Sequence, residues 1–387
     1  MANVASAACL CFYPILRYAA EMVPLSLSEF HRNLSARFGV VNGQQVVDHY
    51  GEPTLEHAAL RQGVALLDLS FRSRLCLTGN DRQRFLNGQV TNNVKDLQPG
   101  QGCYAAIVNH KGKVQGDLYI HALAGELLLD FEPGFMSTTL PRLEKFIIAD
   151  DVQIVDVAPH YGLLSLQGPC AGTVLAELGR ELQFTPPAQS LASCMVNHPV
   201  WGEVCIVNLP RTGSDGFDLF VPGQVLAVVA TRLLAVASRA GGMMCGWQAL
   251  ETARIEAGLP RYDVDMDETN LAPEAGIEAR AISYSKGCYT GQEVIARIRS
   301  YGQVAKSLRG LRLANDLAAL PMKGDKLFLG DRTVGYVTSA VRSPSLQANL
   351  ALGYVRKECQ KPGTELVLVS GEQRSSAMLC PLPFRAQ

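Results

Sequence analysis

Residues Lys286–Glu293 read KGCYTGQE, placing an ammonium, a thiol and a phenol within one short run. An ammonium two residues from Cys288 favours its thiolate, the form that attacks electrophiles or binds metal. Gly287 and Gly291 leave the backbone free to present that thiol tightly. Tyr289 can stack on a ligand ring or cover the core. Gln292 and Glu293 order the loop, with Glu293 opening a helix at its positive end. A lone cysteine cannot hold an iron–sulfur cluster, which needs several thiolates. Cys288 is therefore read as a redox or transfer site, or as one ligand of a cluster shared with a partner. The chain has eleven cysteines, and none forms a CxxC pair or a zinc-finger spacing. Their odd number in a long chain argues against a secreted disulfide framework and for a reducing, cytoplasmic setting. No residues are assigned to a metal.

The 387 residues suffice for two or three domains, and 48% are apolar, so a sizeable core is available. With 35 basic against 36 acidic side chains, nothing suggests a general grip on nucleic acid. Residues 1–24 form an apolar lead segment, read as an upstream start or a disordered stretch, with no positive start of a secretory signal. No apolar run reaches the roughly 20 residues of a membrane span.

Periodicity and turn residues divide the rest into three blocks. Residues 25–160 open with a helix over 25–38 and another over 55–66. The strand 75–78, a helix from Asp81, a hairpin of 104–108 with 114–121, the strand 126–131 and a helix over 137–146 follow. Residues 161–305 repeat the mix: strand 162–167, helix 171–178, strands 204–209 and 217–221, and helix 224–240. Helix 247–258 comes next, then a long irregular run over 260–291 and a helix over 293–300. Residues 306–387 carry short strands broken by Gly and Pro and read as a small antiparallel barrel. The recurrence suggests an α+β fold class with two related modules.

Four segments, in order, then acquire a shared meaning: DLSFRSRLCL with LNGQVTN (68–77, 86–92), RTGSDGFDL (211–219), ARIEAGLPRYDVDMDETNLAP (253–273), and GYVTS with ALGYV (335–339, 351–355). They resemble the glycine-cleavage T-protein (aminomethyltransferase) superfamily, and KGCYTGQE resembles its YgfZ-type folate-binding branch. The resemblance implies two related α+β modules, the second carrying the KGCYTGQE loop, plus a C-terminal β-barrel. The cofactor it implies is tetrahydrofolate or a related folate. The function it implies is that of a folate-binding accessory for iron–sulfur cluster assembly or repair. Its partners would be iron–sulfur enzymes, including tRNA-modifying ones, or cluster-assembly proteins. The alternative is an aminomethyltransferase that moves a one-carbon unit to tetrahydrofolate. Direct RNA contact is disfavoured by the neutral charge.

By the same resemblance, Asp117 on the first hairpin matches the catalytic aspartate, and Asp218 stands where a glutamate would pair the pterin. Arg254 either pins the following loop or reaches the folate tail, and Lys286 and Tyr289 join the cofactor-binding set with Cys288 as the reactive thiol. One departure weakens the transferase chemistry: Leu250 stands where the family's GARD segment has an arginine. His110, in the turn 110–113, is read as solvated.

Overall fold

The computed structural model describes residues 27–302 and 304–385. The lead segment 1–24 and the first residues of the expected 25–38 helix lie outside them. Of the described part of that helix only Ser28–Asn33 forms. Ser35 turns left-handed at φ 59°, and the chain enters a hairpin, Arg37–Val41 with Gln44–His49. Its two-residue loop, Asn42-Gly43, has φ of 47° and 77°, the double positive φ that suits a tight hairpin. Six residues are too few to sustain a helix against the β-branched Val40, Val41, Val46 and Val47 that follow. The second helix, Pro53–Gln62, also ends earlier than expected, because residues 65–68 are a strand.

Two antiparallel sheets and a barrel organise the chain. The first sheet runs Gly102–Val108, Val114–Ala122, Leu127–Phe131, Ser73–Thr78, Gln153–Asp156. The second runs Ser193–His198, Gly202–Asn208, Gly216–Pro222, Tyr161–Gln167, Ala65–Asp68, Met243–Met244, with only the last pair parallel. Residues 306–380 close a six-stranded antiparallel barrel, whose last strand is Gln373–Cys380.

Each sheet buries one face under two helices. Leu75, Leu118, Ile120 and Leu129 pack against Phe85, Leu86 and Leu143 of helices Arg82–Gln89 and Met136–Glu144. Leu164, Leu166 and Leu219 do the same with helices Ala171–Leu182 and Leu226–Arg239. The remaining faces meet each other through Leu67, Leu128, Leu163, Val207 and Phe220.

The boundary near residue 160 is crossed in both directions. Ala65–Asp68, from the first block, pairs in the second sheet: Leu66 faces that sheet's helices, while Ala65 and Leu67 face the interface. Conversely, residues 262–295, from the second block, cover the hairpin 104–121. Tyr262, Met266, Ile277, Tyr289 and Ile295 pack on Tyr104, Ala106 and Val114. Apolar side chains left bare by one module are closed off by the other, so the two fold as interleaved units.

Candidate functional site

Alternation along Val114–Ala122 decides what faces the sheet interface. Leu118, Ile120 and Ala122 point into the helix-covered core, leaving Asp117, Tyr119 and His121 on the other face. A chain of buried ion pairs crosses there. Arg72 donates to Glu132 at 2.7 Å and to Asp130 at 2.8 Å. Arg211 donates to Asp130 at 2.6 Å and, through Nε, to Asp218 at 2.9 Å, and Ser165 caps Asp218 at 2.6 Å. Burial opposes ionisation throughout, yet the guanidiniums of Arg72 and Arg211 outweigh it at Asp130 and hold it near 2. Two arginines alternating with three carboxylates thus rivet the sheets together.

Beside this chain opens a cleft walled by Tyr104, Tyr119 and Trp247. Asp117 lines it. The Tyr104 hydroxyl donates to its Oδ2 at 2.7 Å, while its Oδ1 is buried without a hydrogen-bond partner among the described residues. Burial, then the nearby Glu132 carboxylate, pushes Asp117 up to about 6, against the pull of the Tyr104 bond and of Arg72 and Arg280. A carboxyl with that value exchanges protons near neutrality. Glu132 spends Oε1 on Arg72 and keeps a buried, unbonded Oε2. The Arg261 guanidinium lies 4.8 Å over the Trp247 ring, its Nε and Nη1 likewise without hydrogen bonds.

The expected residues separate. Asp117 is in the cleft. Arg254 borders it but ion-pairs with Asp265 and Glu251 and donates to the Leu259 carbonyl at 3.1 Å, so it pins the loop. The expectation for Asp218 is corrected. It is fully buried behind the cleft with its oxygens taken by Ser165 and Arg211, and its part is to aim Arg211. Lys286 is corrected too. Its ammonium donates to the carbonyls of Asn87, Val90 and Asn92 at 2.5–2.7 Å, leaving no N–H for a ligand or for the thiol. Burial lowers it to about 8. Tyr289 covers core, packed with Tyr104 and Ile295 under the Lys286 ammonium 4.9 Å away. Between these two anchors Cys288 is exposed, and it does not line the cleft with Asp117.

Tyr104, Glu132, Trp247 and Arg261 were not singled out in the sequence. Strand alternation could have paired Tyr119 with Asp117. Glu132, just past a strand, and Arg261, inside the irregular run, carry no local signal.

Residues 27–286 match the family described as the GCVT N-terminal domain, and residues 306–385 match the glycine cleavage T-protein C-terminal barrel domain. The chain belongs to the glycine cleavage T-protein family. Among its relatives in that family, an aminomethyltransferase of Thermosynechococcus vestitus is 29% identical over 350 residues, covering 90% of this chain and 92% of the relative. One of Cupriavidus necator is 28% identical over 374 residues, covering 92% and 96%. The crystal structure of the glycine cleavage system aminomethyltransferase T from Bartonella henselae superposes with a TM-score of 0.82 at 24% identity, covering 93% of this chain and 97% of that one. That likeness fixes the T-protein-like fold, closed barrel included. Among the described residues, no helix is long and apolar enough to cross a membrane.

Proposed function

We propose that this T-protein family member binds tetrahydrofolate between its two sheets and serves aminomethyl-type one-carbon transfer, with Asp117 as the proton-carrying group. The observation that carries the reading is the Asp117 carboxyl, held by one hydroxyl, with its other oxygen buried, unbonded and bordering the cleft. The cleft suits a flat ring that bears N–H donors. Its aromatic walls supply stacking surface, and Asp117 and Glu132 each keep an acceptor without a hydrogen bond. Bound tetrahydrofolate would supply the nitrogens that accept a one-carbon unit. The protein's part is to hold the ring between Tyr104, Tyr119 and Trp247, exclude water behind the Arg72–Asp130–Arg211 rivet, and carry a proton on Asp117 Oδ1.

The test is to mix purified protein with an aminomethylated lipoyl carrier and tetrahydrofolate and to follow ammonia release. Turnover is expected, falling about 10²- to 10⁴-fold in Asp117→Asn. Folate binding with no turnover would discard the transferase.

A specific observation favours a second reading. Lys286 and Tyr289 are buried anchors on either side of Cys288, and they immobilise an exposed thiol. KGCYTGQE is the segment that resembles the YgfZ-type branch, and Leu250 borders the cleft where transferases carry arginine. On this reading the protein is a cytoplasmic folate-binding accessory whose partners are iron–sulfur enzymes, including tRNA-modifying ones, or cluster-assembly proteins. Cluster-enzyme activity under oxidative stress should fall in cells carrying Cys288→Ala. Activity equal to wild type would remove this reading.

A further inference from the structure

We infer that Glu132 and Arg261 together read the ring edge of the bound folate, Arg261 donating to the ring oxo group and Glu132 accepting from the adjacent ring N–H. This rests on the cleft being a folate site and adds which side chains choose the ring.

Glu132 Oε2 and Arg261 Nη1 are 3.7 Å apart, close enough to attract and too far to hydrogen-bond. Among the described residues neither atom has a hydrogen-bond partner, nor has Arg261 Nε, although all three are buried. Buried charged groups rarely stay unbonded, because desolvation without a bond is costly. Both side chains are also held in place. Glu132 is tied through its other oxygen to Arg72. The Arg261 guanidinium sits over the Trp247 ring, and its backbone N–H donates to Asp265 at 3.1 Å, the carboxylate that also pairs with Arg254. An acceptor and a donor fork set side by side match a ligand edge that offers a donor beside an acceptor. The lactam edge of a 4-oxo-pteridine has that pattern.

Two further facts narrow the choice. Asp218, expected to pair the pterin, has its oxygens engaged by Ser165 and Arg211, and Leu250 offers no polar atom. An anionic folate tail fits poorly at Arg261, because Glu132 and Glu251 both lie 3.7 Å from its guanidinium and would repel a third carboxylate. A neutral ring edge meets no such repulsion.

The experiment measures calorimetric binding of 5-formyltetrahydrofolate, of tetrahydropterin, which lacks the tail, and of p-aminobenzoylglutamate, which lacks the ring. The proteins are wild type, Glu132→Gln, Arg261→Leu and Arg261→Lys. Glu132→Gln and Arg261→Leu should weaken the folate and tetrahydropterin about 10- to 100-fold and leave p-aminobenzoylglutamate unchanged. Arg261→Lys keeps the charge without the fork and should lose most of the same affinity. It also stands in if Arg261→Leu fails to fold. Weakening confined to p-aminobenzoylglutamate, or variants that bind folate as wild type does, would overturn the inference while leaving the folate cleft intact. A wild type that binds none of the three probes would overturn both.

Discussion

Replacing Asp117 by Asn should make the protein more stable at neutral pH while removing its proton-carrying group. The Asp117 carboxyl moves from 3.8 to about 6, chiefly through burial and the neighbouring Glu132. Two pH units correspond to about 3 kcal/mol, an upper bound for a residue that borders an open cleft. The sign follows from where the proton sits. Below pH 4 Asp117 is protonated in both folded and unfolded chains and carries no penalty. Between pH 4 and 6 the unfolded chain ionises first, so the folded state loses stability until its own carboxyl ionises. Asn imitates the protonated form and keeps the acceptor for Tyr104 without ionising. Urea unfolding at pH 4 should therefore show near-equal midpoints. At pH 7.5 the variant should be ahead by about 1–3 kcal/mol, with folate-dependent turnover lost. A variant less stable than wild type at pH 7.5, or ahead by the same margin at both pH values, would refute the assignment of a strained, raised carboxyl at this position.

The Tyr104 hydroxyl bond stabilises the Asp117 anion, so Tyr104→Phe should move the pH midpoint of folate binding upward; a pH series of calorimetric titrations checks this. Lys286→Met strips three carbonyls of their donor and should loosen the KGCYTGQE loop, lowering the melting temperature and speeding proteolysis there. In native protein, Cys288→Ser should remove one fast equivalent of thiol reagent, whereas Cys205→Ser should remove none, since burial pushes that thiol well up. Gly246→Ala would place a methyl 2.3 Å from the Asp48 carbonyl, where Glu56 also ties the hairpin to the next helix. Destabilisation by more than about 2 kcal/mol is expected in denaturant titration.

The parts that were legible in the sequence rest on local physics. The hairpin 104–121, the helices 171–182 and 226–239 and the barrel strands each repeat one period with clear turn residues, so their type follows from neighbours in sequence. Asn42-Gly43, between Val41 and Gln44, is a two-residue hairpin signal, and the helix expected over 25–38 overlaps only the start of the first strand of that hairpin. Asp117 was placed on its strand by local alternation, and the structure sets it in the cleft. The errors at Asp218 and Lys286 have one cause. Sequence shows which polar group is present, and it does not show which partner takes its hydrogen bonds.

By itself the sequence determined the three-part architecture, the family, and the carboxyl at position 117 as the group to watch. Only the tertiary structure decided that Ala65–Asp68 joins the second sheet, that Arg211 occupies Asp218, that three carbonyls consume Lys286, and that Glu132 and Arg261 face each other across a gap. Glu132 and Arg261 lie more than a hundred residues apart, so no local pattern links them. Their meeting depends on residues 262–295 folding back over the hairpin 104–121, where they bury apolar side chains that neither segment can cover alone.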